Sequence, residues 1–277
     1  MTTPVKATIP GTEVRTIKSR KTGLEYRISV ALPRSYRSKS RKRYPTLYLL
    51  DANQHFGLVA ELSRSMAGPR FPETIVVGIG YPVDDDGPWE AASIQAGIPR
   101  FSDLTPVVDR KMEAEIAKVN KVAIRTGGSG KFLKFMQTEL IPVIEADYRA
   151  KSTGRTLMGH SLGGLFACYV LLHQPALFKG YLAVDASLFY RNRAMFRMER
   201  RFAGAHIALP AKLCLGIGEV EKEHPPSEMV SIMLQFGAQL ESRHYQGFTL
   251  MKQIHFGCDH GSVIAPGYQA GLQAVMA

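Results

Sequence analysis

Apolar and polar residues are arranged along this chain in two distinct ways. Over residues 26–32 large apolar side chains alternate with small or polar ones, the signature of a half-exposed strand. Residues 46–50, 74–79, 181–184 and 212–217 are instead continuous apolar runs, as expected of strands covered on both faces in a parallel sheet. Helical spacing fills the gaps. Phe132, Phe135, Met136, Leu140, Val143 and Ile144 recur every three or four positions, marking one face of an amphipathic helix that Pro142 should kink. Residues 161–173 are apolar nearly all round and predict a buried helix stopped by Pro175, while 229–240 and 268–276 read as outer helices. Strands alternating with helices predict an α/β architecture with a mainly parallel central sheet, organised as one domain over residues 1–277. The interval 82–130 fits poorly. It opens on Asp84-Asp85-Asp86-Gly87-Pro88, offers few strand signals, and contains a short charged helix (109–121) and the flexible Gly127-Gly128-Ser129-Gly130. Such an interval is either a lid or a plain surface insertion.

Composition narrows the class. At 45% hydrophobic and 21% charged the chain matches an ordinary globular protein. No apolar run approaches the roughly 18 residues of a membrane span, so no membrane association is expected. The N-terminal residues lack the apolar core of a secretory signal. Cys168, Cys214 and Cys258 are odd in number and widely spaced, which argues against a disulfide scaffold or a zinc site and suits a reducing, cytoplasmic setting. The net charge of +11 raises the question of anionic partners. Six positive charges and no negative one fall in residues 34–43. No nucleic-acid-binding motif accompanies them, so they read as a solvated loop and no nucleic-acid partner is expected.

The chemistry concentrates at Gly159-His160-Ser161-Leu162-Gly163-Gly164, directly after the apolar Thr156-Leu157-Met158 and directly before the buried helix. A strand, a sharp turn and a helix are the setting of a nucleophile elbow, in which glycines flank a serine held at a strained backbone position. A serine hydroxyl needs a base, and on such elbows the chain order is Ser, acid, His. His260, between a strand-like segment (248–252) and the last helix, is the expected base, with His255 as fallback; His160 is expected to pack within the elbow. The acid is expected in the loop after residue 217, with Glu221 first and Glu219 second; Asp185, ending the preceding apolar run, is the outside option, and a Ser–His dyad is the simpler alternative. The oxyanion hole should use the backbone N–H of Leu162 and that of Ala52, in the loop after residues 47–50.

Taken together, residues 44–51, 100–106, 131–135, 139–144, 159–166 and 260–263 resemble the Putative esterase branch of the α/β-hydrolases, closest to siderophore trilactone esterases and related carboxylesterases. The likeness runs from about residue 12 to 276. It implies an α/β-hydrolase fold, ester hydrolysis without metal or organic cofactor, Ser161 and His260 as catalytic residues, Arg100 near the substrate, and a small-molecule ester as partner. The chain departs from the family pattern at Ala52, usually Gly, at Asp185-Ala186-Ser187, usually Ser-Pro-Ser, and at Phe189-Tyr190, usually Trp-Trp. The expected reaction is therefore hydrolysis through an acyl-serine. An acyltransferase of the same fold and a non-catalytic binding protein are the alternatives.

Overall fold

The computed structural model describes residues 7–220 and 228–276. Eight strands form one sheet: β1 (Thr12–Lys18), β2 (Glu25–Ala31), β3 (Tyr44–Leu49), β4 (Ile75–Gly80), β5 (Ala150–His160), β6 (Gly180–Val184), β7 (Lys212–Gly218) and β8 (Thr249–His255). Their order is β1-β2-β4-β3-β5-β6-β7-β8. β2 runs antiparallel to both β1 and β4, and every pairing from β4 across to β8 is parallel. The apolar runs supply the interior: β4 and β6 are buried along their whole length, as both-face coverage requires. β1 is an exposed edge strand of mixed character, which is why no apolar pattern announced it.

Helices α1 (Ala52–Met66) and α9 (Ile264–Met276) cover one face, closing a core around Leu47, Leu49, Val59, Met158 and Tyr268. The other face carries α2 (Trp89–Leu104), α4 (Ser129–Phe135), α5 (Ile141–Asp147), α6 (Leu162–His173), α7 (Tyr190–Ala203) and α8 (Met229–Glu241), over a core rich in Tyr48, Phe132, Phe166 and Phe236. α6 is buried from Leu162 to Leu172, because it lies on β5 and β6 beneath α2, α4 and α7. That burial explains its apolar circumference. The kink expected at Pro142 takes a definite form. The five residues Met136–Leu140 make a π-helical turn between α4 and α5, immediately before the proline. Pro142 has no N–H to offer the preceding turn, and the widened turn absorbs the mismatch.

Within 82–130 the chain forms α2 and the short α3 (Arg110–Asn120). α2 packs against α4 and α6, and it buries Asp103 and Leu104. Its other faces are polar or half-exposed and it contains Pro99, so the sequence carries no clean helical stripe there. Strand β8 reaches His255, three residues beyond the expected 252, which leaves His255 on the strand and His260 in the loop beyond it.

Candidate active site

The elbow forms where β5 meets α6. Ser161 sits between them at φ 59° and ψ −119°, a region L-residues avoid unless neighbours enforce it. A Cβ on Gly159 would lie 2.5 Å from the Gly163 carbonyl carbon, so only glycine lets the strand and helix approach so closely. The turn is tied to the next strand. Ser161 donates its N–H to the Val184 carbonyl at 2.9 Å, and its own carbonyl accepts from Ser187 N–H at 3.1 Å. Ser187 also faces Ser161 directly, with the two hydroxyl oxygens 3.4 Å apart.

Among the described residues, the carboxylate that reaches the histidine is Asp185, immediately after β6. Its Oδ2 accepts a hydrogen bond from His260 Nδ1, and its Oδ1 accepts from Gly218 N–H at 3.2 Å. Asp185 is 3% exposed and stands at φ 48°. Among the described residues the carboxylate on His260 is thus the outside option, Asp185, and not Glu219. Glu219 turns its carboxylate to the N–H of Gly257 at 3.3 Å, and Glu221 lies outside the described residues. The physical reason is the strand order. β6 is the direct neighbour of β5, so its exit loop lies beside the elbow, and the Gly218 backbone at the end of β7 braces Asp185 instead of supplying the acid. A signal existed: Asp185 directly follows an apolar strand run, at one of the positions where the chain departs from the family pattern.

His260 lies in the loop between β8 and α9, shaped by Asp259, whose carboxylate accepts from the N–H groups of Gly261 and Ser262. His160 packs in the elbow as expected. Its Nε2 lies 2.7 Å from the His260 carbonyl oxygen, and the two rings are 4.4 Å apart. Burial, reinforced by the nearby His260, pulls the His160 imidazole well below the ordinary histidine range, so that ring is neutral. Donor atoms of His160, Asp185 and His260 lie within 4.8 Å of one another, a spacing a metal ion could use. The contacts just described already engage them with each other.

Two helices begin at the end of the sheet that carries Ser161. α6 opens at Leu162 and α1 at Ala52, at the carboxyl ends of the paired parallel strands β5 and β3, so their first N–H groups have no carbonyl of their own helix to bond. This places both expected oxyanion donors at the same end of the sheet as Ser161. Asp51, just before Ala52, stands at φ 55° and is gripped by Arg100 of α2, with Nε–Oδ1 2.6 Å and Nη2–Oδ2 3.1 Å. Arg100 thus spends two donors of its guanidinium fork on the Ala52 loop. The sequence had placed it toward substrate, and its tie to Asp51 was not anticipated.

Comparison with known proteins gives the family. The model of the family described as Putative esterase matches residues 91–196, from α2 through the elbow into α7. The ferri-bacillibactin esterase BesA of Bacillus subtilis (strain 168) is 33% identical over 225 residues, covering 78% of this chain and 73% of that protein. The siderophore enterobactin esterase of Emericella nidulans is 30% identical over 285 residues, covering 89% and 88%. Among solved structures, the BES protein from Bacillus cereus superposes with a TM-score of 0.83 at 25% identity, covering 100% of both chains. The chain is a serine hydrolase of the carboxylic-ester class. It belongs to the Putative esterase family, in the company of siderophore esterases.

Proposed function

We propose that this esterase hydrolyses the carboxylic ester bonds of a siderophore, through an acyl-enzyme on Ser161 with His260 as base and Asp185 as the acid that orients it. His260 takes the Ser161 proton at Nε2 while Asp185 holds Nδ1–H and so fixes the tautomer. The serine oxygen attacks the ester carbonyl, and the N–H groups of Leu162 and Ala52 receive the negative charge that develops on its oxygen. The imidazolium then protonates the leaving alcohol. Water, deprotonated by the same imidazole, attacks the acyl-serine and restores the free enzyme.

The observation that carries this reading is the contact between Asp185 and His260 at the strand end that bears the strained Ser161. Support for the substrate class comes from the relatives, whose names specify siderophore esters. It comes also from a groove of about 310 Å³ between α1 and α2, which runs up to Ala52. Phe56 and Trp89 line it, and Trp89, the chain's single tryptophan, is 66% exposed. An aromatic platform left open to solvent beside the oxyanion loop suits a planar flank of an ester substrate. Net charge lends little. Arg100 is matched by Asp51, and the basic loop lies at the far end of the sheet, where β3 begins.

The test is a panel of p-nitrophenyl esters set beside a trilactone siderophore in iron-free and ferric forms, with product acids quantified by chromatography. Hydrolysis of the trilactone with a kcat/KM above that of every simple ester, lost in Ser161→Ala, is the expected result. A chain that cleaves p-nitrophenyl acetate and leaves the trilactone intact would overturn the substrate assignment while keeping the esterase.

A further inference from the structure

His160 and His55 are buried imidazoles that the reaction above does not use. We propose that His160 is a positioning residue for ester hydrolysis: it holds the main chain of His260 by a hydrogen bond to the carbonyl oxygen, so that the His260 ring stands between Asp185 and Ser161. This rests on the assignment of Ser161 and His260 as nucleophile and base.

The geometry is specific. His160 is the last residue of β5 and the immediate neighbour of Ser161, so the bond runs from the side chain next to the nucleophile to the backbone of the base, 100 positions away. A carbonyl oxygen only accepts, so Nε2 of His160 carries the proton and donates at 2.7 Å. The ring is 7% exposed and burial lowers its basicity, which leaves one nitrogen as donor and makes it a poor competitor for the proton of Ser161. Its own orientation is set from behind. His55 of α1 meets it edge-on at 6.1 Å between centroids, and Tyr268 of α9 meets His55 edge-on at 5.7 Å. The helix that begins at the oxyanion loop and the helix that follows the His260 loop therefore both back the same imidazole.

Why a second anchor matters follows from where His260 sits. Asp185 holds the ring at Nδ1, and a ring so held still moves if its main chain drifts. The turn from Asp259 to Val263 is internally bonded, with Val263 N–H to the Asp259 carbonyl at 3.1 Å, and it would move as a unit. The His160 bond ties that unit to β5, the strand that also carries Ser161. A displacement of about 1 Å between reacting groups costs on the order of 100-fold in rate, so loss of this tie should appear in the chemical step and not in substrate binding. A histidine that merely fills the core would not give that split.

The experiment uses the full chain, p-nitrophenyl acetate turnover, and the rate at which a fluorophosphonate labels Ser161. His160→Gln keeps an N–H donor near the position of Nε2; His160→Phe and His160→Met fill the space without one. Expected is a 10- to 100-fold fall in kcat and in labelling rate for the Phe and Met variants, with KM within about twofold of wild type and the Gln variant within about threefold. Wild-type kcat in the Met variant, or a Gln variant as slow as Met, overturns the proposal; should the Phe variant fail to fold, the Met and Gln pair still decides it. The underlying assignment fails on a separate reading, namely wild-type chain that the fluorophosphonate does not label or labels away from Ser161.

Discussion

The two ends of the central sheet are built on opposite physical principles. At the carboxyl ends of three adjacent parallel strands, β3, β5 and β6, the chain leaves through Asp51, Ser161 and Asp185, all at positive φ. Each such residue stores roughly 1–3 kcal/mol of backbone strain. Buried charge collects there too, in Asp51 against Arg100 and Asp185 against His260. At the opposite end, the basic stretch 34–43 before β3 contains no residue at positive φ, and its charges lie mostly at the surface. Lys42 meets Glu73 there, and the Arg149 guanidinium stacks on Tyr36 at 4.0 Å. The louder charge in the sequence is at the solvent-screened end, where it costs and contributes little. The strained serine is at the end where a few charges are desolvated and held by specific partners, which is where electrostatics acts strongly.

The sharpest way to break this contrast is to remove one buried partner. Asp185→Asn should lower kcat/KM for an activated ester by about 10²- to 10⁴-fold, because the amide cannot hold the His260 tautomer or stabilise its charge. Glu219→Gln should stay within about twofold of wild type. Steady-state kinetics of the two variants side by side decides it, and a larger loss in Glu219→Gln would restore the loop after β7 as the source of the acid.

Next in size is the tie between α2 and the Ala52 loop. Arg100→Met leaves the Asp51 carboxylate, only 7% exposed at its side chain, without its cation. Urea unfolding should register a loss of about 3 kcal/mol, and kcat should fall about tenfold as the Ala52 loop loosens. Unchanged kcat with raised KM would instead mark Arg100 as a substrate contact.

A third carboxylate at this end is held by hydroxyl groups, with no cation paired to it among the described residues. Asp103 is 2% exposed and accepts from the Tyr26 and Tyr81 hydroxyls at 2.8 and 3.1 Å. Burial pushes its pKa up to about 7, against a value near 4 in the unfolded chain. Between those values the folded chain keeps a proton that the unfolded chain has released. Asp103 therefore favours folding fully below about pH 4, and that advantage is lost as pH rises through 7. Thermal melts from pH 5 to 8 should show wild type losing stability relative to Asp103→Asn by at most about 3 kcal/mol. Parallel curves for the two proteins would refute the effect.

The smallest change belongs to the other end of the sheet. Replacing Arg37, Lys39 and Arg41 together by Gln should alter stability by less than about 0.5 kcal/mol and leave kcat/KM for a neutral ester within twofold. A tenfold loss would mean the basic loop takes part in catalysis after all.

Much of this arrangement can be read from residue order, and the gaps have definite causes. The parallel core strands are legible as apolar runs because both their faces are covered, whereas β1 is exposed at the edge and carries no such mark. α6 is legible because burial on all sides makes it apolar throughout; α2 is not, since within it only Asp103 and Leu104 are buried. For the site, Ser161 and His260 stand out by motif and by position between elements. The acid does not, because the loop after β7 offers several glutamates and nothing in their spacing reports distance to an imidazole.

What the sequence determined by itself is local. Small residues at 159 and 163 around a serine, between an apolar strand and an apolar helix, demand a tight strained turn, since the steric conflict is confined to a few neighbouring positions. Which carboxylate meets His260, and which anion holds Arg100, was decided only in three dimensions. Those partners are 75 and 49 positions apart, and they meet because strand order brings the exits of β3, β5 and β6 side by side. Ion pairing in a desolvated site depends on separation in space, and no property of either residue alone encodes it.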